Sequence, residues 1–468
     1  MKLPIPEMFV GSGPQLLAVL TGTINAVSDG MQYGWTAPSI QVLESPDSPV
    51  AVTHSDEVWL ELLYMIGGFI GLPFSIAFID LIGRKMTVWF SSIIGICGWI
   101  CIGAGNNIYY LYAGRLLLGI TADIAFTASP VYISEIAHQN IRGFLAGLIY
   151  LMMLVGIVII YSIGPWIPIY ASAIVGSSLL LVQLIIFPFM PESPYYLIYV
   201  DKQKAAREAL QRLRPYKDVS AELQEIKDAV ERQKTERGRP QDLFKIKSNR
   251  KAASIMLLLN YTQHFSGVSV LIMNLHSILS EAGSDLVTPD VSAILFPVLM
   301  LISATVATFL VDKCGRKVLL TSSGIITAIT LLVIAVYFHL KLLGFPTHLY
   351  NWIPLAAVMV YAAGVKFGLG IVPIVITAEL FPAKVKGMGM AFSDMVYIFS
   401  SILSIYLYQW MNRVLGIHIS FYVFGFLCTL STIVISLYVP ETKGKTLEEI
   451  QMILKNVDSG KETQDTKL

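Results

Sequence analysis

Charge is scarce in this sequence: Lys, Arg, Asp and Glu together supply 14% of the 468 residues, against 55% for the hydrophobic types. A soluble domain carries about 25% charged residues, so a water-soluble globular fold is excluded. The net charge of +1 leaves no basic field for a nucleic-acid partner. Cysteine is equally sparse, with Cys97, Cys101 and Cys428 in apolar stretches and Cys314 in a polar connection. That spacing builds no disulfide framework, and all four are expected as reduced thiols. Seven histidines make no paired-His metal motif, and no Walker loop or Ser-His-Asp arrangement can be assembled. An enzyme and an ATP-driven machine are thereby set aside, and neither cofactor nor metal is called for. The opening Met1-Lys2-Leu3-Pro4-Ile5-Pro6 has no basic region feeding a short apolar core, so no removable signal peptide is expected.

What the chain has in abundance is long apolar runs, with a mean hydropathy of +0.65. About 20 mostly apolar residues cross the hydrocarbon layer as a helix, because only an internally hydrogen-bonded backbone is tolerated there. Such runs are expected at 15–38, 58–78, 86–104, 109–132, 144–163, 169–190, 253–275, 291–311, 318–339, 352–378, 388–410 and 419–439. Basic residues are retained on the cytoplasmic side. With both termini inside, only Arg115, Lys341, Lys366 and Arg413 of the 33 Lys and Arg residues fall outside or within the membrane. A multi-pass cell-membrane protein with cytoplasmic ends is the expectation. The sequon Asn260-Tyr261-Thr262 falls inside a span, beyond reach of glycosylation.

One long hydrophilic stretch, from Pro191 to Lys251, divides the runs into two trains, and the same marks recur in the same order in each. Asp80-Leu81-Ile82-Gly83-Arg84-Lys85 is answered by Asp312-Lys313-Cys314-Gly315-Arg316-Lys317. Ser129 to Ile136 with Arg142-Gly143 is answered by Ala378-Glu379-Leu380-Phe381-Pro382 with Lys386-Gly387. Pro191-Glu192-Ser193-Pro194 is answered by Pro440-Glu441-Thr442-Lys443-Gly444-Lys445. Acids and bases at the inner helix ends can pair in one conformation and separate in another. Asp80, Arg84, Glu135, Arg142, Glu192, Asp312, Arg316, Glu379, Lys386 and Glu441 are therefore candidate gating charges. Fixed topogenic charges are the plainer alternative, but three pairs of marks in register favour the gate.

These motifs, with the Arg115-to-Gly119 spacing and Thr446-Leu447-Glu448-Glu449 after the last of them, resemble those of the sugar porter family of the major facilitator superfamily. Within it the residues look most like the insect facilitated trehalose transporters and their relatives. The resemblance implies an all-α membrane fold of twelve transmembrane helices in two pseudo-symmetric six-helix bundles. It also implies a substrate cavity between them, alternating access, and a cytoplasmic helical linker. The corresponding domains are 1–190, a linker at 191–252, 253–442 and a cytoplasmic tail at 443–468. Helical spacing of Ala205, Leu210 and Leu213, and of Leu223, Ile226 and Val230, independently argues for helices at 201–214 and 221–237.

A sugar asks for amides, hydroxyls and ring faces. Thr262 to Ser269 resembles the family's Q-Q-x-S-G-x-N segment, with Gln263 at the first glutamine, His264 at the second and Ser269 at the asparagine. Other family contacts fall at Tyr150 and Met300; P-x-P-W is reduced to Ile371-Val372-Pro373-Ile374, and N-W becomes Tyr397-Ile398. The expected substrate-binding set is Gln263, His264, Ser269, Asn274, Tyr150 and Tyr397; ordinary helix packing is the alternative for each.

Asp29, Arg115, Asp123, Lys366 and Asp394 are ionisable groups within spans, where charge is usually paired or functional. Lys366 and Asp394 are expected to pair, and Arg115 to brace helices. Proton symporters of the family carry a first-span aspartate, but aligning on Pro38 puts that position at Met31. Asp29, about 200° away around the helix, is expected to face elsewhere. The expected function is a facilitative transporter of a hexose or a disaccharide such as trehalose. A proton-coupled sugar symporter and a transporter-shaped nutrient sensor remain alternatives.

Overall fold

The structure is a computed structural model that describes residues 12–455 apart from 46–47, 49, 216–217, 236–238, 240, 284–287 and 446. All regular structure among the described residues is helical, divided between two compact units, Met1–Thr235 and Glu236–Leu468.

The first unit begins with α1 (Gly13–Gly22), α2 (Ile24–Gly34) and α3 (Thr36–Leu43). This is the first apolar run, and it corrects the expectation of one unbroken helix. Two side chains explain the interruptions. The Thr23 hydroxyl donates back to the Val19 carbonyl at 2.9 Å, competing with the helical ladder. Pro38 lacks the N–H that would reach the carbonyl of Gly34, and its ring crowds that oxygen, so the turn tightens at Trp35. The break at Thr23 is repaired from a later helix, where Gln183 Nε2 donates to the Gly22 carbonyl at 3.2 Å.

The remaining helices of this unit are α4 (His54–Leu81), α5 (Arg84–Gly103), α6 (Ile108–Ile136), α7 (Gln139–Ile163), α8 (Ile169–Ile186), α9 (Pro194–Tyr199), α10 (Gln203–Leu213) and α11 (Ser220–Thr235). A capping box at Thr53 and Asp56 starts α4. Helices α9 to α11 close around Ile198, Ala206, Leu210, Ile226 and Val230, and Arg214 fastens them to α6 by donating to the Ile136 carbonyl at 3.0 Å.

The second unit contains α12 (Asp242–Lys245), α13 (Lys247–Phe265), α14 (Val268–Ala282), α15 (Pro289–Cys314), α16 (Arg316–Leu342), α17 (Ile353–Phe367), α18 (Val372–Leu380), α19 (Lys386–Leu415), α20 (Ile417–Tyr438) and α21 (Leu447–Lys455). Eleven helical stretches among the described residues are long and apolar enough to cross a membrane. Two of them are interrupted runs, α13–α14 and α17–α18. The segmented α1–α3 corresponds to the remaining apolar run, the first in the sequence.

The break between α13 and α14 sits at Ser266 and Gly267. Gly267 takes φ +82, a left-handed conformation that a side chain would strain. The break between α17 and α18 follows from Pro373, whose missing N–H frees the Leu369 carbonyl. Ser323 on α16 splints it: its Oγ donates to the Gly364 carbonyl at 2.7 Å and accepts from Leu369 N–H at 3.0 Å. Helix α21 lies along the same unit with Ile450 and Leu454 buried, and Gln451 donates to the Leu380 carbonyl at 2.6 Å.

Candidate functional site

At one end of each unit the repeated marks fold into the same charge network. Gly83 and Gly315 precede α5 and α16 with φ +94 and +93. A Cβ on Gly83 would lie 2.6 Å from the Tyr196 ring, and one on Gly315 2.7 Å from Glu441 Oε2. Each glycine thus lets a carboxylate from the third mark reach the start of the helix, where unpaired N–H groups favour an anion. Glu192 accepts from Lys85 N–H at 3.0 Å, and Glu441 from the N–H groups of Arg316 and Lys317, both at 3.0 Å.

The arginines then turn to the second mark. Arg84 pairs with Glu135 at 2.9 Å and Arg316 with Glu379 at 2.8 Å. A hydroxyl completes each pair: Ser193 donates to Glu135, and Thr442 to Glu379 at 2.6 Å. Sequence reasoning missed both hydroxyls, although each follows the glutamate of a repeated mark. Asp80 joins at the edge, 3.5 Å from Arg84; the side chain of its counterpart Asp312 lies outside the described residues. Arg142 is not brought to Glu135, since its guanidinium donates instead to the Ala137 carbonyl at 3.4 Å. Lys386 opens α19.

The two third-mark glutamates have opposite electrostatics. Burial pushes the Glu192 carboxyl up, and its N–H donors only partly offset this. Burial also raises Glu441, but four backbone N–H groups outweigh it and hold the carboxyl below its ordinary value.

In the second unit a polar seam surrounds the α13–α14 break. His264 Nδ1 is 2.8 Å from Ser269 Oγ, which is 3.1 Å from Ser401 Oγ on α19. The Tyr397 ring meets the His264 ring edge-on at 4.2 Å. His264 is fully buried, and its Nε2 has no hydrogen-bond partner among the described residues. A turn further along α14, Asn274 Oδ1 accepts from Gln409 Nε2 at 3.2 Å. Tyr361 on α17 donates to the Ser266 carbonyl at 2.8 Å. Gln263, His264, Ser269, Asn274 and Tyr397 therefore share this seam, with Gln263 buried beside the break. Sequence reasoning missed Ser401, Gln409 and Tyr361, because only the approach of α19 and α17 gives them partners. Asn260 is committed to packing, donating to the Ser393 carbonyl and hydroxyl at 2.9 Å.

Lys366 is buried near the end of α17, which packs against α15 and α16. Asp394 lies half-buried on α19, which packs mainly against α13 and α20. Tyr150 falls in the first unit, buried on α7 as a neighbour of Tyr33.

The first unit holds its own buried polar cluster. Arg115, fully buried, donates to the Leu60 carbonyl at 2.8 Å and to the Gln32 carbonyl at 2.6 Å. Its guanidinium also stands 4.7 Å from the centre of the Tyr64 ring. It thereby links α6 to α2 and α4. The Tyr64 hydroxyl donates to Asp29, and Ser75 donates to Asp123 at 2.6 Å. Asp29 is thus turned toward the α4 and α6 side of α2, in the company of Arg115.

With this geometry in hand, the sequence profile described as "Sugar (and other) transporter" matches residues 15–454. The chain belongs to that family. It is 30% identical over 446 residues to the facilitated trehalose transporter Tret1 of Drosophila virilis, covering 93% of this chain and 48% of that protein. It is 30% identical over 448 residues to Tret1 of Polypedilum vanderplanki, covering 93% and 87%. The chain spans about half the length of the Drosophila relatives it matches. Among solved structures it is similar to the major facilitator proton:xylose symporter XylE bound to 6-bromo-6-deoxy-D-glucose, with TM-score 0.76, 20% identity, and coverage of 95% of this chain and 100% of that one. An inward-open XylE from E. coli gives TM-score 0.74 and 20% identity, covering 94% and 98%. The fold is therefore the all-helical major facilitator fold, and the chain is a membrane-spanning member of a transporter family rather than an enzyme.

Proposed function

We propose that this sugar transporter family member carries a hexose or a disaccharide such as trehalose down its gradient by alternating access, with both termini cytoplasmic. The observation that supports a neutral polyhydroxylated substrate best is the α13–α14 seam, where amide, hydroxyl, imidazole and ring groups converge at a helix break. Breaks of this kind expose backbone and side-chain donors at membrane depth. The similarity to Tret1 supports the disaccharide. His264 Nε2 is the candidate direct contact, Ser269 and Tyr397 hold it, and Gln263 and Asn274 supply amides. The paired charges Arg84–Glu135 and Arg316–Glu379 are the proposed gate, and a Lys366–Asp394 interaction its intramembrane companion.

The second reading is proton-coupled symport, favoured by one observation: Asp29 lies in a buried cluster with Tyr64 and Arg115. Uptake of labelled glucose and trehalose into proteoliposomes, with and without an inwardly acidic pH gradient, separates the readings. Equal uptake under both conditions is expected for facilitated transport. Stimulation by the gradient would select symport, and no uptake of either sugar would point to a sensor or a different solute.

A further inference from the structure

The end of the second unit away from the Arg316–Glu379 pair carries a histidine pair that the transport reading does not use. His339 lies in the last turn of α16 and His418 in the first turn of α20. Their rings stand 5.1 Å apart, centre to centre, with planes inclined by 24°. His339 Nδ1 is 3.2 Å from the Tyr422 hydroxyl, and the Tyr422 ring meets the His339 ring edge-on. Both imidazoles are half-buried.

We propose that His339 and His418 together bind one divalent transition-metal ion of the zinc, nickel or copper class, tying α16 to α20. Imidazole nitrogen binds such ions at about 2.0–2.1 Å, which places the ring centre about 3.2 Å from the metal. Two rings on one ion at the tetrahedral angle then stand about 5.2 Å apart. The observed separation is close to that value, so the spacing of α16 and α20 suits two rings on a common ion.

Tyr422 supplies the outer partner. In the tautomer this site needs, the phenol accepts from Nδ1–H and Nε2 keeps the lone pair that a metal-binding imidazole requires; the 3.2 Å contact fits that arrangement. The last turn of α16 presents carbonyl oxygens, whose partial negative charge also favours a cation. Two like charges oppose it: Arg413, exposed at the end of α19, and Lys341, whose ammonium is held on the Glu281 carbonyl. Water fills the remaining positions of an ion with two protein ligands. Nitrogen ligands select copper, nickel and zinc over magnesium and calcium, which prefer oxygen.

The test uses the tag-free full chain in detergent micelles, titrated with Ni²⁺ by calorimetry and with Cu²⁺ by electron paramagnetic resonance. One ion per chain is expected, with two equivalent nitrogens in the Cu²⁺ spectrum and no competition from Mg²⁺. His339→Ala and His418→Ala should each weaken binding at least tenfold, and Tyr422→Phe severalfold with the nitrogen count unchanged. In the wild-type chain, Ni²⁺ should protect both histidines from diethyl pyrocarbonate as read by mass spectrometry, a measurement that needs no variant to fold. Unchanged affinity in the double alanine variant, a single coordinated nitrogen, or histidines modified equally with and without Ni²⁺ would overturn the proposal.

Discussion

Tyr361 and Ser266 meet where α13 gives way to α14: the phenolic O–H of Tyr361 donates to the Ser266 carbonyl at 2.8 Å, and both residues are buried. The break frees that carbonyl from the helical ladder, and the tyrosine is its substitute partner. Removing the hydroxyl in Tyr361→Phe leaves a buried acceptor unsatisfied, a change that costs about 1–3 kcal/mol. The melting temperature of the purified chain should fall by a few degrees, with helical content by circular dichroism unchanged. A variant as stable as the parent would show that the carbonyl has found water.

The seam at His264 predicts a graded effect on solute binding. His264→Gln keeps a hydrogen-bonding group of similar reach, whereas His264→Ala removes both the contact and the partner of Ser269. Uptake by the alanine variant should fall at least tenfold and by the glutamine variant less. Ser401→Ala, two hydrogen bonds away from His264 Nδ1, should raise the half-saturating solute concentration a few-fold with little change in maximal rate. Equal losses in all three would mean that the seam serves packing alone.

The Arg316–Glu379 pair at 2.8 Å, reinforced by Thr442, is partly buried. Neighbours in one network couple by about 0.5–3 kcal/mol in double-mutant cycles. Arg316→Gln, Glu379→Gln and the double variant should therefore be non-additive in melting experiments, the double being less damaged than the sum. Additivity within about 0.5 kcal/mol would remove the pair from any gating scheme.

Glu441 and Glu192 predict opposite pH behaviour. A carboxyl held below its ordinary value stabilises the fold above its unfolded pKa, and that contribution is lost as pH falls through the depressed folded value. Glu441 is of this kind. A carboxyl pushed up contributes below its unfolded pKa and loses that contribution as pH rises through the folded value, as for Glu192. Between about pH 3 and pH 7, Glu441→Gln should lower stability at the neutral end and flatten the acid-side loss. Glu192→Gln should raise stability at the neutral end. Denaturant melts of the two variants across that range would expose a mistake in either sign.

Asp29 tests coupling directly. If Asp29, held by Tyr64 near Arg115, takes up the transported proton, Asp29→Asn should abolish stimulation by a pH gradient while sparing exchange of solute at equal pH. Gradient-independent uptake by both parent and variant would leave the aspartate a structural brace.

The amino-acid order alone determined the membrane class, the apolar runs and the doubling of the motifs, because hydropathy and motif spacing are properties of the linear chain. It also located the glutamates and arginines of the charge network, since each is fixed by its motif. Tertiary structure alone decided which groups they meet. Thr23 and Pro38 sit in an apolar run that hydropathy reads as one helix, yet they divide it into α1, α2 and α3. Ser193 and Thr442 became partners of Glu135 and Glu379, whereas Arg142 turned to a backbone carbonyl. His339 and His418 came together only through the packing of α16 on α20. Burial and periodicity leave their mark on neighbours along the chain, but hydrogen bonds and ion pairs depend on which helix face lies opposite, and that is settled only when the helices pack.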